Sequence, residues 1–520
     1  MKSQACIVGT TAHANHMAGT SYDVLDPIKR LRIAAASCFF GEPAYYTRAV
    51  GKYQQRLGGT DALAAQRAFG QPIIAPPDHD GSPATVLERV IDDAISHDAD
   101  AALQCAATLR TEDMIRTTPQ VILVRAAHHA AARGTGAVRK WAPLIVQRAD
   151  EPAVGLAYSL AAFPGRPLPN SLKRAWRGAL ETQDELHLAK YRADGHDVKL
   201  VDVINLTHPR TEACARAAQG KLRLSADDTW EALLSERGST QAVWTEAVDV
   251  MGHMALLRNL RNLCQHGVDP KVFCDKLVRT APYGKQLPFR YYAARNALIK
   301  AGDVPARVLD ALEEAALASL GALPRIGGRL AVLCDNSGSA HGALTSEMGS
   351  STVASIANLT GVILAKLADE GHVYAFGDRL DGFDVQRTMP ILHDHERLNG
   401  IGKNVGGGTE NGVWQFYDRA LRSSERWDAI VILSDMQAGH GGLYGVNEHE
   451  YSRYCIGGRY IDVAALHSAY LRTVNGDAKL FCVQVAGYTD VLIPEAYPNA
   501  HIIGGWGPGV VRYVAQACQR

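Results

Sequence analysis

Residues Leu330 to Cys334 form a short apolar run that stops abruptly at Asp335, Ser337 and Ser339. Such a run is what a strand buried on both faces shows. A carboxylate and two hydroxyls then follow its carboxyl end at i, i+2 and i+4. Three hard oxygen donors at the lip of a parallel sheet suit a small divalent cation. Two later stretches supply further donors. A glycine-rich loop ends in the hydroxyl of Thr409, and its glycines at 406–408 let backbone approach an ion. A second apolar run, Ala429 to Ser434, is closed by the carboxylate of Asp435. Alone, Asp-x-Ser-x-Ser is also the pattern of a cap cluster opening a helix.

Taken together, Asp-x-Ser-x-Ser, then Thr, then Asp resembles the metal-ion-dependent adhesion site of von Willebrand factor A domains. In that arrangement Ser337, Ser339 and Thr409 coordinate through hydroxyls. Asp335 and Asp435 coordinate directly or hold metal-bound waters. Mg²⁺ is the expected cofactor, with Mn²⁺ or Ca²⁺ as alternatives. A hydrated Mg²⁺ leaves a position for an acidic ligand group. Hydrolysis would call for a general base and further carboxylate or histidine ligands. An Asp-x-Asp pair for phosphoryl transfer is missing, because position 337 is Ser. No catalytic residue is assigned, and the expectation is a docking metal rather than an enzyme. Neighbouring His341 reads as a capping or packing residue.

The elements that would position these donors lie after Pro324. There strand-like runs alternate with helical ones: Arg329–Cys334, a helix within Ser350–Glu370, His372–Phe376, a helix near Asn411–Arg422, Ala429–Ser434, a helix near Asp462–Leu471, Lys479–Val485, His501–Ile503 and a helix over Val510–Gln519. Alternation of this kind predicts a parallel sheet covered on both faces. We expect an α/β, Rossmann-like domain of the von Willebrand factor A type over 324–520, with Pro324 and Gly327-Gly328 marking the boundary. From Asp26 to about residue 320 the pattern is helical throughout. Examples are Pro83–Ser96, Asn170–Thr182, Met254–Gln265 and Pro270–Thr280, most of them punctuated by Pro, Gly, Asp or Asn. An all-α domain over 21–323 is expected, as a globular bundle or a solenoid of helix pairs. Residues 1–20 read as a loose arm, and Gln71–Ser82 as an exposed loop.

Composition narrows the class. A chain of 520 residues exceeds one core, so two or three domains are expected. The 47% hydrophobic and 21% charged content is that of a soluble globular protein. Lys+Arg and Asp+Glu are both 54, so a polyanion partner would have to meet a local patch. Ten cysteines occur without a Cys-x-x-Cys, which argues against a zinc ribbon and for reduced, buried thiols. Neither a signal peptide nor a membrane-spanning run is evident, so a cytoplasmic protein without a membrane partner is expected.

Several segments carry a wider resemblance. Met254-Ala-Leu-Leu-Arg-Asn-Leu-Arg-Asn-Leu263 is similar to a Leu-Leu-Arg-Asn-Leu helix of the TROVE-domain proteins, the family of the Ro autoantigen and its bacterial orthologues. Gln286-Leu-Pro-Phe-Arg-Tyr-Tyr292, Tyr45-Tyr46, Leu168–Arg174, Leu188–Tyr191 and Leu206–Pro209 resemble other elements of that family. The resemblance implies a ring of HEAT-like helix pairs closed by the A domain. It implies a monomeric RNA-binding protein that carries small noncoding Y RNAs on the ring's outer surface. It further implies binding of single-stranded 3′ ends of misfolded RNAs in the central hole, and work with an exoribonuclease such as polynucleotide phosphorylase. Candidate RNA contacts are Lys173, Arg174 and Arg177 on one helix, then Lys190, Arg192, Lys199, His208 and Arg210, then Arg258 and Arg261. A locally basic stretch in a neutral protein is a plausible phosphate track; taken by itself it reads better as a solvated helix face, and the family resemblance shifts the balance to RNA. Arg258 could also satisfy carbonyls between helices, and Trp176 and Tyr191 could stack on bases or pack in the core. The competing class is a metal-dependent protein-interaction adaptor, an A-domain partner of an AAA+ ATPase, with no RNA function.

Overall fold

The computed structural model describes residues 12–14, 20–37, 83–192, 198–286, 288–302, 304–342, 352–407, 412–434, 455–456, 460–461, 463–485, 490–491 and 499–519. Tyr45, Tyr46 and the 71–82 loop lie outside these residues.

After α1 (Pro27–Ser37), the helical part runs through α2 (Pro83–His97), α3 (Ala99–Thr111), α4 (Thr117–His128), α5 (Ala137–Ile145), α6 (Glu151–Ala162), α7 (Asn170–Glu181), α8 (Glu185–Lys190), α9 (Leu200–Thr207) and α10 (Glu212–Ala218). It continues with α11 (Trp230–Arg237), α12 (Gln241–Val250), α13 (His253–Gln265), α14 (Pro270–Thr280), α15 (Pro288–Ala301) and α16 (Ala306–Ser319). Side-chain caps set many of the starts. Asp98 accepts from the Ala101 amide, and Thr211, Thr229 and Thr240 each accept from the amide three residues on. A Cap side chain of this kind satisfies an amide the helix itself leaves orphaned. The early helices bury their own core around Leu103, Ile122, Tyr158 and Trp176. From about α11 onward the helices share a core with the α/β domain, where Leu260, Phe273 and Leu312 join Leu330 and Val332.

Residues expected to form the loose arm are partly strand. β1 (Ala12–Ala14) pairs with β2 (Thr20–Asp23), and β2 pairs in turn with β10 (Asp490–Val491). A short stretch near the start of the chain is thereby tied to one near its end by backbone hydrogen bonds that residue types alone do not announce.

The second domain is a six-stranded sheet. Its strands are β3 (Ile326–Asp335), β4 (Ala368–Phe376), β5 (Leu380–Val385), β6 (Ala429–Ser434), β9 (Lys479–Gln484) and β11 (Ala500–Gly504), ordered β11-β9-β6-β3-β4-β5. A small hairpin, β7 (Cys455–Ile456) and β8 (Tyr460–Ile461), stands apart from it. Every neighbouring pair in the large sheet is parallel except β4 with β5. Helices α17 (Gly338–Gly342), α18 (Val353–Leu367), α19 (Ile391–Gly402), α20 (Gly412–Ser423) and α21 (Val463–Thr473) lie between the strands, and α22 (Pro508–Cys518) follows β11. Alternate residues of β3 serve the two faces, as pleating requires. Ala331 and Leu333 meet the aromatic layer of Trp414, Phe416, Tyr417 and Tyr470. Leu330, Val332 and Cys334 join the core shared with α18 and the late ring helices. Gly361 on α18 passes so close that a Cβ there would stand 2.4 Å from Cys334 Sγ. Strand order reverses beside β3, which makes its carboxyl end the switch-point crevice of a doubly wound sheet. Edge strand β5 and helix α19 were not anticipated.

The α/β domain touches both ends of the helical array. Beside α1, a Cβ on Gly504 would lie 2.3 Å from the Ile33 carbonyl oxygen, Arg512 donates to the Glu112 carbonyl, and Arg32 pairs with Asp113 close to Gly509. Beside the last helices, Arg295 of α15 pairs with Glu396 of α19, and Glu313 of α16 accepts from the Leu392 amide at 3.1 Å. The first and last helices of the array are thus bridged by one domain.

One seam residue carries a pH signature. His395 is fully buried on α19, bonded to the Ser355 carbonyl at 2.8 Å and edge-on to Tyr292 of α15. Burial lowers its pKa to about 4, and Arg295 adds to that. In the unfolded chain it takes a proton near 6.5. Between those values the unfolded state binds more protons, so the group's stabilising contribution is complete above pH 6.5 and declines toward pH 4. The loss amounts to about 3 kcal/mol. A His395→Gln variant should show a shallower fall in melting temperature over that window; parallel curves for the two proteins would contradict the assignment.

Candidate nucleic-acid interface and metal site

Asp335 ends β3 with no exposure to solvent. One carboxylate oxygen accepts from the Ser337 amide at 2.9 Å and the other from the Ser434 hydroxyl at 2.6 Å. Burial raises its pKa, and those two hydrogen bonds work in the opposite direction. A buried carboxylate satisfied only by neutral donors remains costly to ionise. Nearby, the Gly338 amide donates to the Gly407 carbonyl at 2.7 Å, so the glycine-rich loop does reach the Asp335 turn. His341 Nε2 is buried beside it without a hydrogen-bond partner among the described residues. The side chain of Ser339 and residues Thr409 and Asp435 lie outside what the structure describes. Asp335 and Ser337 are therefore brought together at the expected crevice, and both are buried.

A ladder of amides braces this turn. Asn336 and Asn358 exchange hydrogen bonds of 2.8 and 2.9 Å, and Asn358 also donates to Asn399 at 2.8 Å. Gly402 is needed for the approach, since a Cβ there would sit 2.0 Å from Asn336 Oδ1.

The helical part forms an open cavity of about 1310 Å³. Arg116, Arg148, Lys190, Arg258, Arg261, Lys285 and Arg290 line it, against two carboxylates, Asp228 and Glu231. Among the described residues Arg116, Arg258, Arg261, Lys285 and Arg290 form no ion pair. Surrounding protein, then Arg258 and Arg116, push the Arg290 guanidinium below its ordinary pKa. Like charges crowded in this way repel one another until an anion enters. Aromatic side chains share the wall. Tyr283 is 83% exposed, and Tyr191 and Phe289 each carry an arginine over the ring, Arg148 at 4.1 Å and Arg290 at 4.9 Å.

The sequence candidates divide. Lys190, Arg258 and Arg261 line the cavity. Asn259, between those two arginines, is buried and bonded to Asn262 and the Ala255 carbonyl. Lys173 faces a different pocket, and Arg174 is exposed on α7. Arg177 donates through Nε to the Thr207 carbonyl at 2.6 Å and so caps α9. Lys199, His208 and Arg210 are exposed around α9, and Arg192 is half-buried. Trp176 is core, pressed against Gly155. Residues missed from sequence are Arg116, Arg148, Lys285 and Arg290. Each is an isolated cation in its own segment, and only the fold gathers them.

A helical array whose two ends are bridged by a doubly wound α/β domain defines the class. The TROVE domain model matches residues 214–301, which run from α10 through α15. Telomerase protein component 1 of Mus musculus is 33% identical over 93 residues, 16% of this chain and 4% of that protein. Its Rattus norvegicus counterpart is 34% identical over 91 residues, 16% of this chain and 3% of that protein. The chain thus spans only a few per cent of the length of these curated relatives. The crystal structure of the Deinococcus radiodurans Ro (Rsr) protein superimposes with a TM-score of 0.56 at 17% identity, covering 88% of this chain and 99% of that one. This chain is thus similar to TROVE domains over that segment, and it shares the fold of that Ro protein.

Proposed function

We propose that this protein is a bacterial Ro orthologue that binds RNA without catalysing a reaction, drawing single-stranded 3′ ends of misfolded RNA into the helical cavity. The observation that carries the reading is the crowding of Arg116, Arg258 and Arg290 without an ion-pair partner among the described residues. A cation-lined cavity with exposed Tyr283 suits a strand whose phosphates need neutralising and whose bases need a stacking surface. Small noncoding Y RNAs would lie along the outer face, on the exposed Arg174, Lys199, His208 and Arg210. An exoribonuclease such as polynucleotide phosphorylase would be the partner that degrades the captured RNA, in the cytoplasm. Among the described residues no helix is long and apolar enough to cross a membrane. The test is a filter-binding titration of the full chain with labelled single-stranded RNA. Affinity that falls steeply with rising salt supports the reading; no binding at low salt overturns it.

We further propose that Asp335, Ser337, Ser339, Thr409 and Asp435 hold a divalent cation, preferentially Mg²⁺. Support comes from Asp335, a buried carboxylate whose partners are neutral. A bound cation would balance its charge and offer an open position to an acidic group of a partner. Asp335→Asn keeps the shape and removes the charge, so Mg²⁺ affinity measured by calorimetry should drop at least about tenfold, with cavity RNA binding retained. Equal Mg²⁺ affinity in both proteins would refute the site.

A further inference from the structure

A second basic pocket, of about 660 Å³, lies at the other end of α4 from the cavity and shares no lining residue with it. Arg116, at the start of α4, faces the cavity, whereas His128, its last residue, faces this pocket. At 1.5 Å per residue, a helix of that length separates the two by roughly 18 Å. Arg133, Arg139, Arg166 and Lys173 line the pocket, and among the described residues no carboxylate does. Among the described residues none of the four forms an ion pair, although other nearby cations do, such as Lys140 with Asp100 and Arg148 with Asp150. The surrounding sequence thus supplies carboxylates to its neighbours and withholds them here.

Side chains of the wall are held by mutual contacts. Arg166 lies over the ring of Phe163 at 5.7 Å, and Phe163 stacks on His128 at 4.1 Å. His128 is fixed further by the Ser159 hydroxyl at 3.0 Å. Leu168, Pro167 and Pro169 form an apolar side against which a base or ribose could rest. The first turn of α7 opens into the same space, with Pro169 before it and no side-chain cap. Amides there add to the positive field that the four cations establish.

From this geometry we infer a second anion site, built by Arg133, Arg139, Arg166 and Lys173, that takes the phosphate groups of a nucleotide. Guanidinium forks suit bidentate phosphate binding, and the volume accommodates a nucleotide unit with its base. The phosphate belongs either to an RNA backbone passing over this face or to a soluble nucleotide.

The experiment uses the full chain in a background where the cavity is silenced by Arg258→Gln, Arg261→Gln and Arg290→Gln. Into it go Arg133→Gln, Arg139→Gln and Arg166→Gln, all on exposed side chains. Calorimetric titrations with inorganic phosphate and with uridine triphosphate are run beside filter binding of a uridine oligonucleotide of about a dozen residues. The expected result is at least about a tenfold loss of affinity for one or more of these probes on removing the three arginines. A loss for the oligonucleotide, with a salt slope shallower by about 2, identifies RNA backbone as the source. A loss confined to phosphate and uridine triphosphate identifies a soluble nucleotide. Unchanged affinity for all three probes, or no binding of any probe before the arginines are removed, overturns the site. Because the cavity is already silenced, its own contribution to RNA binding is read separately, from the background against the parent.

Discussion

Replacing Arg258, Arg261 and Arg290 together by glutamine should weaken single-stranded RNA binding about a hundredfold or more, because charge-assisted hydrogen bonds contribute roughly 1.5–3 kcal/mol each. Glutamine retains much of the bulk and hydrogen-bonding capacity, so the loss isolates charge. The logarithmic salt slope should fall by about 2, since a single strand releases roughly 0.7 counterion per neutralised phosphate. Folding should not suffer. Burial first, then the charges of Arg258 and Arg116, disfavour the Arg290 guanidinium, so removing these charges relieves repulsion in the free protein. A melting temperature equal to or above that of the parent, with RNA binding lost, is the full expected pattern. An unchanged slope would remove the cavity from the RNA path.

The second large effect concerns stability. Lys366 at the end of α18 is 2% exposed, and its ammonium contacts Asp394 at 2.8 Å and the carbonyls of Gln386 and Met389 at 2.8 and 2.7 Å. Two of its protons are donated to those carbonyls, and the Asp394 carboxylate supplies the counter-charge. Asp394 is itself 3% exposed, so Asp394→Ala leaves a buried ammonium without its counter-charge. Breaking such a pair from one side destabilises by about 3–5 kcal/mol. For a domain of this size the melting temperature should drop by roughly 6–20 °C. Replacing both partners with apolar residues, as in Lys366→Met with Asp394→Leu, should recover most of that loss, because the penalty comes from the stranded charge. If the double variant is as unstable as the single one, the charge explanation fails.

The α/β half was legible because its signals are local. The run Leu330–Cys334 is apolar at every position, and the strand found there extends it to Ile326–Asp335. Ala429–Ser434 is a strand with the expected bounds, buried at every residue. Strand β5 escaped because Leu380-Asp-Gly-Phe-Asp-Val385 is an edge with alternating polar residues, and a Gly-Asp turn signal masks it. Asp335 and Ser337 were legible from their spacing at the end of a strand. Arg258 and Arg261 were visible as a pair three residues apart on one helix. Arg116, Arg148, Lys285 and Arg290 were not, since closure of the helical array gathers them from separate elements. Arg177 shows the converse failure. It looks like part of a basic stripe, but the C-terminal carbonyl of α9 claims it, and nothing near position 177 in the sequence reveals that need.

The bridge between the ends of the array also sets an order of events during synthesis. Ile33 and Ala36 of α1 are covered by Ile502, Gly504 and Gly505, which are synthesised long after α1 itself. Until then that face of the first helix has no native partner, and the pairing of β2 with β10 cannot form either. The array must therefore fold as an open chain of helix pairs and become a closed circuit only once β11 has been made. Any factor that shields an apolar helix face during translation would have a long task at α1.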